Sequence, residues 1–183
     1  MSHVLALSGS LRRGSYNTSL LQAAQELFPT AISMASIVDI PLYDADIEAA
    51  GFPAAVETLK QSIAAANGLL VASPEYNNSL PGVLKNAIDW LSRPSGDIRN
   101  VFRDKPVAVI GATPGGFGTV SAQSAWLPVW RALGARHWSG GRLAVPHAQR
   151  VFDSKGKLID DTLIERLEVY VRGFLAFCDH CDG

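Results

Sequence analysis

At 183 residues, 48% of them hydrophobic, with a formal net charge of −1, the chain suits one well-cored domain and lacks the basic field that a nucleic-acid surface needs. Its two cysteines make no disulfide framework, no apolar run approaches membrane-spanning length, and Met1-Ser2-His3 is no basic signal-peptide n-region. The expectation is a single cytoplasmic domain over residues 1–183, without repeats or low-complexity segments.

In chain order, the first element is a strand at about 3–8, carrying the apolar run Val4-Leu5-Ala6-Leu7. The loop Gly9-Ser10-Leu11-Arg12-Arg13-Gly14-Ser15-Tyr16-Asn17 follows, and then a helical pattern of Leu20, Leu21, Ala24, Leu27 and Phe28. A second strand is expected at about 31–37. A helix enters after Gly51-Phe52-Pro53, turns Val56, Leu59 and Ile63 inward, and stops at Asn67-Gly68. A third strand at about 68–73 leads into Ser73-Pro74-Glu75-Tyr76-Asn77-Asn78-Ser79-Leu80-Pro81-Gly82. Pro81 suits the first turn of a helix whose stripe is Leu80, Val83, Leu84, Ala87, Ile88 and Leu91. Trp90 falls outside that stripe and is a candidate subunit contact. Ser92 to Asp104 reads as a loop carrying Arg93, Arg99 and Arg103. It is either a lid or subunit contact reaching a nucleotide phosphate, or a solvated surface loop. Strands at about 105–111 and 136–139 complete the set, with Gly111-Ala112-Thr113-Pro114-Gly115-Gly116-Phe117-Gly118 after the fourth. The last helix starts near Thr162, where Thr162-Leu163-Ile164-Glu165 has the capping-box pattern, and its stripe is Leu163, Leu167, Val171, Phe174, Leu175 and Cys178.

Continuous apolar runs alternating with helical patterns describe a parallel sheet covered on both faces. Five such units point to an α/β, flavodoxin-like, doubly wound five-stranded sheet of order 2-1-3-4-5. That order makes strands 1, 3 and 4 neighbours, so the loops 9–18, 74–80 and 111–118 share one rim. These are the three loops of unusual composition.

The first loop is built to hold a phosphate. A helix N-terminus offers unpaired N–H groups and partial positive charge. Ser10, Ser15, Asn17 and Thr18 add neutral donors, and Arg12 adds a charge-assisted one worth roughly 1.5–3 kcal/mol. No Gly-Lys-Ser/Thr follows, so it is no triphosphate-binding P-loop, and the glycine offsets of a dinucleotide fingerprint are absent. In the second loop, backbone groups at a strand's C-terminal edge suit the donor–acceptor edge of a flat heterocycle, and Tyr76 can wall its side. Glu75 has no partner carboxylate or histidine nearby in sequence, which disfavours an acid–base role. The glycines of the third loop let backbone approach a ligand closely.

Other motifs carry less. Cys178-Asp179-His180-Cys181 lacks the further cysteines of a zinc site and reads as one core thiol before a frayed tail. Trp126 and Trp130, four apart, read as packing or interface anchors. There is no Gly-x-Ser-x-Gly elbow, and no catalytic side chain or metal ligand is assigned.

The three loops together resemble those of the NADPH-dependent FMN reductase family, which has a flavodoxin-like fold and includes quinone, chromate and azo-dye reductases. Gly9-Ser10-Leu11-Arg12 with Ser15 and Asn17 is similar to its phosphate loop, and Pro74-Glu75-Tyr76-Asn77 with 84–93 to its second signature. Ile40-Pro41-Leu42-Tyr43-Asp44 and the Gly51-Phe52-Pro53 helix entry are similar too. The resemblance implies that Ser10, Arg12, Ser15, Asn17 and Thr18 bind the FMN phosphate. It implies that Pro74, Glu75, Tyr76 and Asn77 line the isoalloxazine, largely through backbone, while Thr113, Gly115 and Gly116 close its far side. The third loop departs from the serine- or glycine-led form of many members. The implied activity is ping-pong: hydride passes from NADPH or NADH to bound FMN, then to a quinone, flavin, azo or metal-oxyanion acceptor. The implied assembly is a homodimer or homotetramer, with no nucleic-acid or membrane partner. No site for a ribose 2′-phosphate is recognisable. The rival readings are a flavodoxin-type electron carrier, a class that tends to be strongly acidic, and a non-catalytic sensing module on the same fold.

Overall fold

The computed structural model describes residues 2–180. Five parallel strands form the expected sheet: β1 (Val4–Ser8), β2 (Ile32–Ala35), β3 (Gly68–Ala72), β4 (Pro106–Ala112) and β5 (Arg136–His137), in the order β2-β1-β3-β4-β5. The order is the flavodoxin-like one read from the sequence. Leu5, Leu7, Leu69, Val71, Val107 and Val109 face one side; Val4, Ala6, Leu70, Ala72, Ala108 and Ile110 face the other. This period-two alternation carries apolar residues on both faces, so both must be covered.

The first face is covered by α3 (Ala54–Ala65), α4 (Gly82–Leu91) and α6 (Val120–Leu133), and the second by α1 (Tyr16–Leu27) and α7 (Asp161–Asp179). Two short helices, α2 (Ala45–Ala50) and α5 (Ile98–Val101), complete the set. Val56, Leu59 and Ile63 are buried as the helical spacing predicted. So are Leu163, Leu167, Val171, Phe174 and the Cys178 thiol. Cys181 lies outside the described residues. Among those residues, no helix is long and apolar enough to cross a membrane.

Several expectations need correction. The fifth strand is split. Arg136–His137 pairs with Pro106–Val107, and a further strand β6 (Leu143–Val145) pairs with Ile110–Ala112. Trp138-Ser139-Gly140-Gly141-Arg142 interrupts the edge, and the Tyr170 hydroxyl donates to the Val109 carbonyl at 3.1 Å. Helix α7 starts two residues earlier than the capping box implied, because Asp160, not Thr162, is its N-cap and accepts from Leu163 N at 2.7 Å. Helix α2 escaped notice, as six residues with no buried side chain carry no periodic signal.

Trp90 is not at the surface. It is fully buried, donates Nε1–H to Pro41 O at 2.9 Å, and meets Tyr43 and Phe52 edge-on. The expected loop 92–104 contains helical turns at 95–97 and in α5, and it leads into the N-terminal end of β4. It therefore lies on the rim opposite the three loops. Arg93 is held there by Glu48 at 3.0 Å.

Candidate active site at the C-terminal ends of β1, β3 and β4

Ser8 lies opposite Ala72, and Ala72 opposite Ile110, so the three central strands end nearly in step. Their following loops meet at one crevice, where an open α/β sheet binds its ligands. Specific contacts tie them together. Gly9 joins the first to the second: its N–H donates to Ala72 O at 2.8 Å, and a Cβ there would stand 2.9 Å from the Pro74 ring. Asn17 joins the first to the third, with Nδ2 donating to Ala112 O at 2.9 Å and Oδ1 accepting from Ala112 N at 3.0 Å. Glu75 joins the second to the first turn of α6, the helix that follows the third, its Oε2 accepting from Ser121 N at 2.8 Å and Ala122 N at 3.1 Å.

In the first loop Ser15 is the N-cap of α1, its Oγ accepting from Thr18 N at 3.4 Å. Ser10 Oγ accepts from Arg12 N at 3.3 Å. The Thr18 hydroxyl lies 2.8 Å from that of Ser8. Among the described residues, the backbone N–H groups of Arg13, Gly14, Ser15, Tyr16 and Asn17 have no protein acceptor. Arg12 is exposed, lies 5.6 Å from the Tyr16 ring centroid, and has no carboxylate partner among those residues. Tyr16 in turn stacks on Phe152. A run of unpaired donors at a helix N-terminus, with one guanidinium beside it, is an anion cradle. The Asn17 amide is occupied by Ala112, which leaves only its backbone N–H unpaired in this loop.

The second loop is a two-residue hairpin. Tyr76 N donates to Ser79 O and Ser79 N to Tyr76 O, both at 3.1 Å, with Asn77 and Asn78 at φ 52° and 57°. Paired positive φ values define a type I′ turn, and asparagine tolerates them better than most residues. The turn leaves Tyr76 exposed. Ser73 anchors its base, accepting from Trp126 Nε1 at 2.8 Å inside the core. Trp126 and Trp130 stack at 5.0 Å and are packing residues, one of the two roles expected for them. The Glu75 carboxylate caps α6, whose own N-cap residue Thr119 makes no side-chain cap bond. That engagement fits a structural rather than a proton-transferring role.

The third loop is tied to the segment after β6. Thr113 N donates to Val145 O, Ala148 N to Thr113 O, and His147 N to Gly115 O, all at 3.0 Å. Thr113 Oγ1 accepts from Gly115 N at 3.3 Å. A Cβ on Gly116 would lie 3.6 Å from the His147 ring, which stands over this loop on a backbone with φ 49°. Phe117, between Gly116 and Gly118 in this loop, is 88% exposed.

The donor set fits a phosphorylated flat heterocycle: an anion cradle on one loop, an aromatic wall and strand-end backbone on the second, and a glycine-lined approach on the third.

A family model for NADPH-dependent FMN reductases matches residues 2–150. The chain is 46% identical over 167 residues to an NAD(P)H-dependent FMN reductase of Pseudomonas aeruginosa, covering 90% of this chain and 89% of that one. It is 37% identical over 177 residues to a 2-hydroxy-1,4-benzoquinone reductase of a Burkholderia species, covering 95% and 94%. Among solved structures, the flavoenzyme NAD(P)H:(acceptor) oxidoreductase FerB of Paracoccus denitrificans superposes with a TM-score of 0.88 at 31% identity, covering 98% of each chain. With its flavodoxin-like sheet and its three joined loops, the chain belongs to the NADPH-dependent FMN reductase family.

Proposed function

We propose that the protein is an NAD(P)H oxidoreductase that carries FMN on this rim and reduces a quinone-type acceptor. The observation that carries the reading is the set of unpaired N–H groups from Arg13 to Asn17 beside an uncompensated Arg12. Ser10, Arg12, Ser15, Asn17 and Thr18 hold the phosphate, Asn17 by its backbone. Pro74, Glu75, Tyr76 and Asn77 border the ring system, and Thr113, Gly115 and Gly116 close the far side. Bound FMN supplies hydride acceptance from nicotinamide and delivery to a second substrate, chemistry that belongs to the cofactor.

The chain's own residues bind, orient and shield. Asn17 and Glu75 use their side chains to lock the loops together, which keeps the donors preorganised and costs no rearrangement during reaction. No acid–base dyad is needed. The acceptor assignment draws support from the relative named as a benzoquinone reductase; free flavin, azo compounds and metal oxyanions are the other candidates.

One domain is supported by one sheet with both faces covered. A homo-oligomer is supported by Leu42, Tyr43, Ile47 and Val83, which are exposed large apolar residues around α2 and α4. A cytoplasmic location follows from dependence on reduced nicotinamide, an intracellular reductant. The test is anaerobic addition of NADPH to the flavin-loaded protein without any partner. Bleaching of the flavin absorbance, then steady NADPH consumption once benzoquinone is added, is the expected result. A flavodoxin-type carrier would show neither.

A further inference from the structure

A large cavity lies far from the three loops. It has a volume of 670 Å³ and sits on the opposite rim, between the 95–103 segment and the last turn of α6. Three of its ten lining residues are arginines, Arg99, Arg103 and Arg131, and none is acidic. Among the described residues, none of the three arginines makes an ion pair. Asp97 is held by Lys60 at 2.8 Å and lines a neighbouring cavity instead, and Asp104, which follows Arg103 directly, makes no ion pair with any of the three arginines among the described residues. In a chain with 16 basic and 17 acidic residues, three uncompensated cations around one concavity form a local field.

The backbone that carries them is fixed. Arg99 and Arg103 stand one helical turn apart, with Arg103 N donating to Ile98 O at 2.9 Å. Like charges at that spacing repel by a few tenths of a kcal/mol in an exposed helix, so folding alone gives no reason to pair them. Asp104 N donates to Gly134 O at 2.8 Å, which pins the first segment against the end of α6. The Arg103 side chain lies 3.9 Å from where a Cβ on Gly134 would stand. Beneath the arginines, buried Phe102 packs on buried Trp130 at 6.4 Å. Arg131 suits a helix C-terminus by its charge, but that explains only one of the three.

We infer that this cavity is a second anion site, taking a small ligand that carries two or three adjacent phosphates. Three guanidinium groups carry about fifteen N–H donors in all, more than the oxygens of one phosphate accept, and bidentate forks suit adjacent phosphates. The volume falls in the range of small-molecule pockets. Because the site is on the far rim, occupancy leaves the flavin crevice open.

The test is calorimetric titration of the flavin-loaded full-length protein with inorganic tripolyphosphate at low salt. Binding of one equivalent per chain is expected, weakening as salt rises. The triple variant Arg99→Gln/Arg103→Gln/Arg131→Gln should lose at least tenfold in affinity and keep NADPH oxidation within twofold. Arg131→Gln alone should lose an intermediate amount, and Arg12→Gln should leave tripolyphosphate binding unchanged. Wild-type protein that binds no tripolyphosphate at millimolar concentration overturns the inference. So does affinity unmoved in the triple variant, affinity abolished by Arg12→Gln, or tighter binding of a DNA oligonucleotide than of tripolyphosphate.

Discussion

The Asn17 carboxamide faces the Ala112 peptide and makes both hydrogen bonds to it, donating to the carbonyl at 2.9 Å and accepting from the N–H at 3.0 Å. The pair is buried and joins the first turn of α1 to the last residue of β4. Asn17→Ala leaves a buried donor and acceptor unpaired, each worth about 1–3 kcal/mol. Urea unfolding should therefore show a loss of about 2–6 kcal/mol. FMN affinity should fall as well, since the cradle loses its tie to the third loop.

Glu75 performs the matching task between the second loop and α6. Glu75→Gln keeps an acceptor for Ser121 N and Ala122 N and should keep kcat within a few-fold. Glu75→Ala removes the cap and should cost about 1 kcal/mol of stability, read by thermal unfolding. A large loss of kcat in the glutamine variant would instead assign Glu75 to proton transfer.

Much of this rim is legible in the sequence. Gly9, Pro74, the Asn77-Asn78 pair and Gly115-Gly116 mark turns by their backbone preferences, and the apolar runs before them mark buried strands. Local pattern cannot show where a polar side chain finds its partner. Asn17 reads as a phosphate ligand, yet its amide partner is 95 residues away. The amides that occupy the Glu75 carboxylate begin 46 residues on. Trp90 lies off its helix's apolar stripe and is buried all the same, because Pro41, Tyr43 and Phe52 fold over it. The divided edge of β5 and β6, at two and three residues, is too short for periodicity to register.

Gly111 is the tightest point beneath the crevice. A Cβ there would meet Thr119 Oγ1 at 2.0 Å and Ser73 O at 2.5 Å. Because Ser73 O is backbone, Gly111→Ala forces β3 and β4 apart and should cost about 3 kcal/mol, the upper end for overpacking. Chemical denaturation of the purified variant measures it.

On the flank of α4, Glu48 accepts from Arg93 Nε at 3.0 Å and from the Tyr43 hydroxyl at 2.8 Å. Arg93 first, and then Tyr43, hold its carboxyl below the ordinary glutamate value. A carboxyl depressed on folding adds stability above its unfolded value, about 4.3, and loses it as pH falls through the folded one. The difference in Tm between wild type and Glu48→Gln should therefore be present at neutral pH and shrink on acidification below about pH 4. A difference that grew with acid would contradict this pairing.

The anion cradle is tested most directly by fluorescence titration of the apoprotein with FMN and with riboflavin, which lacks the phosphate. FMN should bind one per chain and riboflavin at least a hundredfold more weakly, with Arg12→Ala closing part of that gap. Equal affinity for the two, or no FMN bound at saturating concentration, would contradict the account.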